Sequence, residues 1–420
     1  MAENKESGEK VYSSKNERLK SYVFDLPVQE LRRGYRSDIY FWREKVALEE
    51  HNIDPQVVMQ VFQKNNAVIC GIDECLAVLK LATGKYSDYQ KAYKLFDKYI
   101  ELKKIARSYF PEDRDRYLNI VTERMEVGKE LDSLWVNEFD NLEILTLRDG
   151  DEITPWESAM HIKGRITSFA HLETIYLGIL ARRTRIATNV RAVVEAAKGI
   201  PILFFPARFD HWEVQSGDGY AAWVGGASAV STLAQGEWWG AKASGTVPHA
   251  MIACLEGDDV AAAKIFHESY PETNLVALVD FHNDCVNTAL KCAHELGDKL
   301  WGVRLDTSEK MVDKSVFEMM GNFKPTGVIP ELVIKTREKL DAEGFKNVKI
   351  IVSGGFDAEK ISEFVSRKVP VDAYGVGSYL IRGNNYDFTA DIVKVNGKNC
   401  AKKGRAYSPN PRLQRVNYNE

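Results

Sequence analysis

The sequence predicts an α/β protein in two parts, a mixed α+β region followed by parallel strands arranged as a β/α barrel or a doubly wound sheet. Three observations carry this. After about residue 200, short runs that are apolar throughout alternate with helical segments, the mark of parallel strands covered on both faces. Before that point, strand-like and helical stretches follow one another without that rhythm. The apolar runs also end repeatedly in glycine or a charged residue, where parallel α/β folds collect functional groups.

In chain order, residues 1–22 are polar and charge-rich, lack apolar periodicity and read as a flexible tail, with order expected from near Val23. An N-terminal domain is expected over 23–165. It holds VVMQVFQ (57–63), NAVICGID (66–73), an amphipathic helix over Tyr89–Tyr109, and short strands at LEILTL (142–147) and SAMHIKG (158–164). A barrel domain is expected over 166–383, entered through two bridging helices at 169–181 and 188–197. Its apolar runs are PILFFP (201–206), LVALVDF (275–281), LWGVRLD (300–306), VKIIVSGG (348–355) and DAYGVGS (372–378). Helices are expected around 224–236, where Gly, Ala and Ser dominate, at 286–296, at 330–342 and from Asp357. The stretch FTADIVKVNGKNCAKKGR alternates like a hairpin turning at Asn396-Gly397, so 384–420 is expected to return to the N-terminal domain.

Composition removes several classes. At 420 residues, 45% hydrophobic and 28% charged, the chain can bury a large core, so disorder as its main state is excluded. The 56 basic residues against 60 acidic ones give a net charge of -4, and nothing in that field favours nucleic acid. No apolar window is long enough for a membrane helix and the first residues have no signal-peptide character, so a cytoplasmic location without membrane contact is expected. The six cysteines form no CxxC pair, which argues against a zinc ribbon and a disulfide framework.

Candidate site residues follow from the strand ends. Asp280 closes LVALVD, Arg304 and Asp306 close LWGVRLD, Gly354 and Gly355 close VKIIVSGG, and Gly375 and Gly377 precede Ser378. Glycine pairs at neighbouring strand ends let backbone N–H groups approach an anion, and the helix from Asp357 adds its positive end, so a phosphate monoester fits. Either pair alone is as well explained as a tight turn. The dinucleotide fingerprint is not met, because the third glycine is missing after Gly375-Val376-Gly377. Asp280 and Asp306 suit Mg²⁺, direct or through water, or sugar hydroxyls; Asp306 also suits a plain ion pair with Arg304. No protein metal cage is identified. His249, in Ser244-Gly245-Thr246-Val247-Pro248-His249, is by spacing alone more often structural than catalytic. Arg208, after FFPA, is a surface arginine or an anion ligand, Lys242 another possible phosphate ligand, and Phe204 and Phe205 read as core.

Taken together, Ser37-Asp38-Ile39-Tyr40, NAVICGIDE (66–74), GTVPH (245–249), LVD (278–280), GVRLD (302–306), IIVSGGFD (350–357) and AYGVGS (373–378) resemble the ordered motifs of the nicotinate phosphoribosyltransferase family, from about residue 30 to the closing VNGKNCAKKGR. The resemblance implies a type II phosphoribosyltransferase: an N-terminal α/β sandwich domain and an incomplete α/β barrel, assembled as a homodimer with sites at the subunit interface. The implied reaction joins nicotinate to phosphoribosyl pyrophosphate, giving nicotinate mononucleotide and pyrophosphate, with Mg²⁺ and with ATP as co-substrate. By the same resemblance His249 matches the histidine that ATP phosphorylates, and the two glycine pairs with Ser378 match the 5'-phosphate nest. Asp280, Arg304 and Asp306 match ribose and pyrophosphate-side positions, Arg208 the arginine beside the nicotinate ring, and Tyr40 the tyrosine that stacks on the base from the other subunit; Thr246 is expected among the substrate-binding residues. Where the family often carries GGxDGTSN, this chain has Gly225-Gly226-Ala227-Ser228-Ala229-Val230-Ser231-Thr232.

Three alternatives stand beside this. A decarboxylating quinolinate phosphoribosyltransferase is typically shorter, needs more cations for two carboxylates and lacks the GTxxH histidine. Nicotinamide as substrate calls for an Asp on the base amide, where this chain offers Ser228. A non-catalytic nucleotide-binding regulatory dimer would be expected to lose Asp280, Arg304 or Asp306, and all three are present.

Overall fold

The computed structural model describes residues 18–319, 321 and 323–417. Contacts divide them into two units, one comprising 18–184 with 385–417 and the other 185–384.

In the first unit a six-stranded antiparallel sheet runs in the order Lys398–Asn399, Phe388–Val395, Gln56–Gln63, Ser158–Arg165, Glu143–Thr146, Gln414–Arg415. The segment after the barrel thus supplies three of its strands, and the turn at Asn396-Gly397 takes the positive φ values of 47° and 78° that an Asn-Gly hairpin requires. The helix Ile72–Ala82 packs its apolar residues with this sheet, and Ile69, Ile72, Leu79, Ile144 and Phe169 are buried together. Most of the flexible tail expected over 1–22 lies outside the described residues, but Arg18 and Leu19 do not behave as tail. Arg18 pairs with Asp73 at 2.7 Å, and Leu19 is buried with its N–H donated to the same carboxylate.

The expected helix Tyr89–Tyr109 is present, and it packs on a second helix, Arg114–Leu134, that periodicity did not indicate. Only Val127 and Leu131 of that second helix are fully buried, so its apolar stripe is too thin to read. The two expected bridging helices are one, Glu173–Ala196, which runs through the division between the units. Polar residues at its middle do not break it because the fold uses them. Arg183 donates to Glu74 at 2.9 Å and the Thr184 hydroxyl donates to the Cys70 carbonyl at 3.2 Å.

The second unit is built on six parallel strands in the order Leu275–Leu278, Leu300–Leu305, Lys349–Val352, Ala373–Val376, Ile202–Phe204, Ala229–Val230. This is a curled half-barrel, with no described pairing between its two outer strands. Val303, Leu305, Ile350, Val352 and Val376 are fully buried, as apolar runs covered on both faces must be. Helices Cys285–Leu296, Pro330–Ala342 and Ala358–Ser366 follow three of the strands as expected. The Gly/Ala/Ser-rich stretch is not one helix over 224–236. It is the helix Gln215–Gly225, a turn through Gly226 at φ 110°, the strand Ala229–Val230 and a short helix Leu233–Gly236. No described helix is long and apolar enough to cross a membrane.

Candidate functional site

The sheet's ladder continues one residue past the strand ends and so fixes which side chains meet. Ser353 donates its N–H to the Leu305 carbonyl at 2.9 Å, Val279 to Arg304 at 3.1 Å and Phe205 to Val376 at 2.9 Å. These bonds align Asp280, Arg304, Asp306, Ser353, Phe205 and Gly377 along one rim.

A cleft opens there, lined by Arg208, Arg304, Asp306, both glycine pairs and Ser378. Arg304 is its hub. Its guanidinium donates to Ser353 Oγ at 2.9 Å, Thr246 Oγ1 at 2.8 Å and Asp306 Oδ2 at 2.8 Å, while Ser353 Oγ donates to Asp306 Oδ1 at 2.7 Å. The ion pair of Asp306 with Arg304 is therefore real, and it sits inside the cleft rather than behind it. A closed ring of Arg304, Ser353 and Asp306, with Thr246 as a further acceptor, holds the guanidinium plane in one orientation.

The glycine pairs flank this ring and differ in kind. Gly354 and Gly355 have φ of 88° and 67°, the left-handed region where a Cβ is strained. Gly375 and Gly377 have no positive φ; a Cβ on Gly375 would lie 2.9 Å from the Phe205 ring, and one on Gly377 3.0 Å from the Phe209 ring. Asp357 caps the helix Ala358–Ser366 by accepting from the Lys360 N–H at 2.8 Å, so a carboxylate already uses part of that helix end.

His249 begins the short helix His249–Cys254, and its Nε2 lies 3.0 and 3.1 Å from the two oxygens of Asp280, which is almost fully buried. The hydrogen bond to Asp280 raises the imidazole's pKa, against the lowering effect of burial, with further help from the Asp280 and Asp306 charges and opposition from Arg304. His249, Asp280, Arg304 and Asp306 thus form one electrostatic neighbourhood.

Arg208 stands over the Phe209 ring at 5.3 Å on the cleft wall and makes no ion pair among the described residues. Phe204 is core, as expected, but its neighbour Phe205 faces the cleft, with the Arg304 guanidinium 5.9 Å from its ring centre. Lys242 is exposed and outside the cleft lining. Tyr40 belongs to the other unit, where it is exposed in the first turn of the helix Ile39–Glu50. Ser353, Glu309 and Arg382 also line the cleft and were not singled out from sequence. Ser353 precedes the glycine pair and was readable as a strand-end hydroxyl; Glu309 and Arg382 carry no such signal.

For Mg²⁺, the described residues contain no group of three or more ligating side chains. Asp280 and Asp306 fit an ion that keeps most of its shell as water and substrate oxygens, which is how Mg²⁺ is commonly held.

No family model matches the chain. The solved nicotinate-nucleotide pyrophosphorylase of Pyrococcus furiosus is 30% identical, with 94% of this chain and 86% of that one covered and a TM-score of 0.68. The human nicotinic acid phosphoribosyltransferase structure, at 15% identity, shares the fold, with a TM-score of 0.59 over 87% of this chain and 75% of that one. A nicotinate phosphoribosyltransferase of Mycobacterium tuberculosis is 28% identical over 262 residues, 60% of this chain. The chain spans about half the length of the curated relatives it matches, 52% in that case and 48% for the Bacillus subtilis nicotinate phosphoribosyltransferase. With 30% identity to the Pyrococcus furiosus nicotinate-nucleotide pyrophosphorylase sustained over nearly the whole chain and the half-barrel in place, the chain belongs to the type II phosphoribosyltransferase family.

Proposed function

We propose that this chain joins nicotinate to phosphoribosyl pyrophosphate, forming nicotinate mononucleotide and pyrophosphate in NAD biosynthesis, with ATP hydrolysis coupled to the transfer. The observation that carries the reading is the ring of Arg304, Asp306 and Ser353, with Thr246 accepting from Arg304, set between two glycine pairs on one strand-end rim.

In that reading the pyridine nitrogen of nicotinate attacks the ribose C1, the bond from C1 to the diphosphate oxygen breaks, and pyrophosphate leaves with the electron pair. The state between is oxocarbenium-like, so it is favoured by a fixed pocket and by cations on the leaving group rather than by a strong base. The backbone N–H groups at Gly354, Gly355, Gly375 and Gly377, with Ser378, take the 5'-phosphate. Arg304 faces the diphosphate, and Asp306 and Asp280 take ribose hydroxyls. Where Mg²⁺ binds, Asp280 and Asp306 would hold it through water, and it would supply charge neutralisation on the leaving diphosphate. Arg208, beside Phe209, takes the nicotinate carboxylate. With Nε2–H donated to Asp280, the His249 lone pair is on Nδ1, the nitrogen that accepts the phosphoryl group of ATP. A cytoplasmic homodimer, with Tyr40 stacking on the base of its partner's site, completes the reading.

A second reading is decarboxylation of quinolinate, favoured by the name of the Pyrococcus furiosus neighbour. It needs a cation for a second carboxylate, for which Arg382 on the cleft wall is available. Incubation of the purified protein with phosphoribosyl pyrophosphate, Mg²⁺ and nicotinate, nicotinamide or quinolinate, with and without ATP, separates the readings by product mass. Product from nicotinate, raised by ATP and not raised in His249→Ala, supports the first. Product from quinolinate with loss of CO₂ replaces it with the second.

A further inference from the structure

Glu309 reaches the cleft from the segment between the strand Leu300–Leu305 and the helix Pro330–Ala342. Its carboxylate packs on Gly355, in the space a Cβ would take. On its other side Gly327, at φ 82°, makes room for the Glu309 backbone, since a Cβ there would lie 3.3 Å from the Glu309 Cα. The turn is fixed by the Gly327 N–H donated to the Met311 carbonyl at 2.8 Å and the Met311 N–H to Ser308 at 2.9 Å. Two glycines in the left-handed region therefore flank one acidic residue, Gly327 at its backbone and Gly355 at its carboxylate. Behind the nest Lys360 points its ammonium at the Gly354 carbonyl and the Phe356 ring, 4.3 Å from the ring centre, and Glu309 is among the charges that act on it.

An acid is an unexpected neighbour for a phosphate nest, because its charge stands against Gly355 and repels a second anion seated there. We propose that Glu309, packed over Gly355, is a specificity-determining anion whose carboxylate must move aside before the phosphate of a phosphorylated sugar is seated at the Gly354–Gly355 nest. The inference rests on the reading of these glycines as a phosphate site. It gives that site a filter: only a ligand with a full phosphate charge and a correctly placed sugar displaces the carboxylate, and weaker anions do not.

The test is calorimetric titration of the full chain, wild type and Glu309→Gln, with inorganic phosphate and with ribose 5-phosphate, alongside steady-state kinetics in phosphoribosyl pyrophosphate. Gln keeps the shape and removes the charge. The expected result is about fivefold tighter binding of both probes in the variant, the size one like charge carries at short range when water screens it. KM for phosphoribosyl pyrophosphate falls by a similar factor with kcat little changed, and Glu309→Asp, with the charge kept and the reach shortened, falls between. Unchanged or weaker binding of both probes in Glu309→Gln overturns the proposal while leaving the phosphate nest standing. Weaker ribose 5-phosphate with unchanged inorganic phosphate also overturns it and makes Glu309 an acceptor for a sugar hydroxyl. Binding of neither probe to either protein overturns the nest reading together with the proposal.

Discussion

The two halves of the half-barrel's mouth solve the problem of holding anions differently. At the ends of Leu275–Leu278 and Leu300–Leu305 the rim carries charged side chains, Asp280, Arg304 and Asp306. At the ends of Lys349–Val352 and Ala373–Val376 it carries glycines and presents backbone. Side chains can follow a group whose charge grows and departs, as a leaving diphosphate does, whereas rigid backbone suits a group that stays put through the reaction. Substitutions on the charged half should therefore act on turnover, and those on the glycine half on binding.

The largest effect is expected from Arg304→Ala. Three acceptors lose their donor at once and Asp306 is left a poorly solvated charge, so kcat/KM should fall about a thousandfold and the fold should lose about 3 kcal/mol. Arg304→Lys should recover little, since an ammonium cannot span Ser353, Thr246 and Asp306 in one plane. Steady-state kinetics and thermal melts measure both; a variant with normal kcat would break the division of labour.

On the glycine half, Gly355→Ala should raise KM for phosphoribosyl pyrophosphate about thirtyfold, roughly 2 kcal/mol of binding, with kcat less affected. Two costs combine, the left-handed φ of 67° and the collision with Glu309. Adding Glu309→Ala should restore the part due to collision and leave the part due to strain. Gly375→Ala should cost less, about 1 kcal/mol and roughly fivefold in KM, because no positive φ is involved and the Phe205 ring can shift. If the two substitutions were equal, the difference between the glycine pairs would have no energetic meaning.

Much of this rim was legible in the sequence because parallel strands write themselves as unbroken apolar runs, so the first polar residue or glycine after each run marks the mouth. Asp280, Arg304, Asp306 and both glycine pairs were found that way. The bonds joining Arg304 to Thr246 and Ser353 were not, since they depend on strand register and on a loop folding back over the rim. Glu309 was invisible for a related reason: its place is set by Gly327 and Gly355, neither near it in sequence. The helix Arg114–Leu134 was missed because most of its surface faces solvent, and Glu173–Ala196 was split in two because Arg183 and Thr184 look like a break until their partners are known.

A pH limb, rather than the size of a rate loss, is what Asp280→Asn is expected to move. The hydrogen bond to Asp280 raises the His249 pKa above its ordinary value, so in acid the imidazole is protonated and has no lone pair for a phosphoryl group. Stimulation by ATP should accordingly be full at alkaline pH and fall as pH drops through that raised pKa. Asparagine keeps an acceptor for Nε2–H but removes the negative charge, so the His249 pKa should drop and the acid limb of the ATP effect should move to lower pH. The reaction without ATP loses rate as well, because Asp280 also faces the ribose, but it does not call on Nδ1, so only the position of the acid limb of the ATP effect, and not the overall rate, reads out His249. A limb that stays in place in Asp280→Asn would mean that His249 is not the titrating group, and the charged half of the mouth would then be a binding surface only.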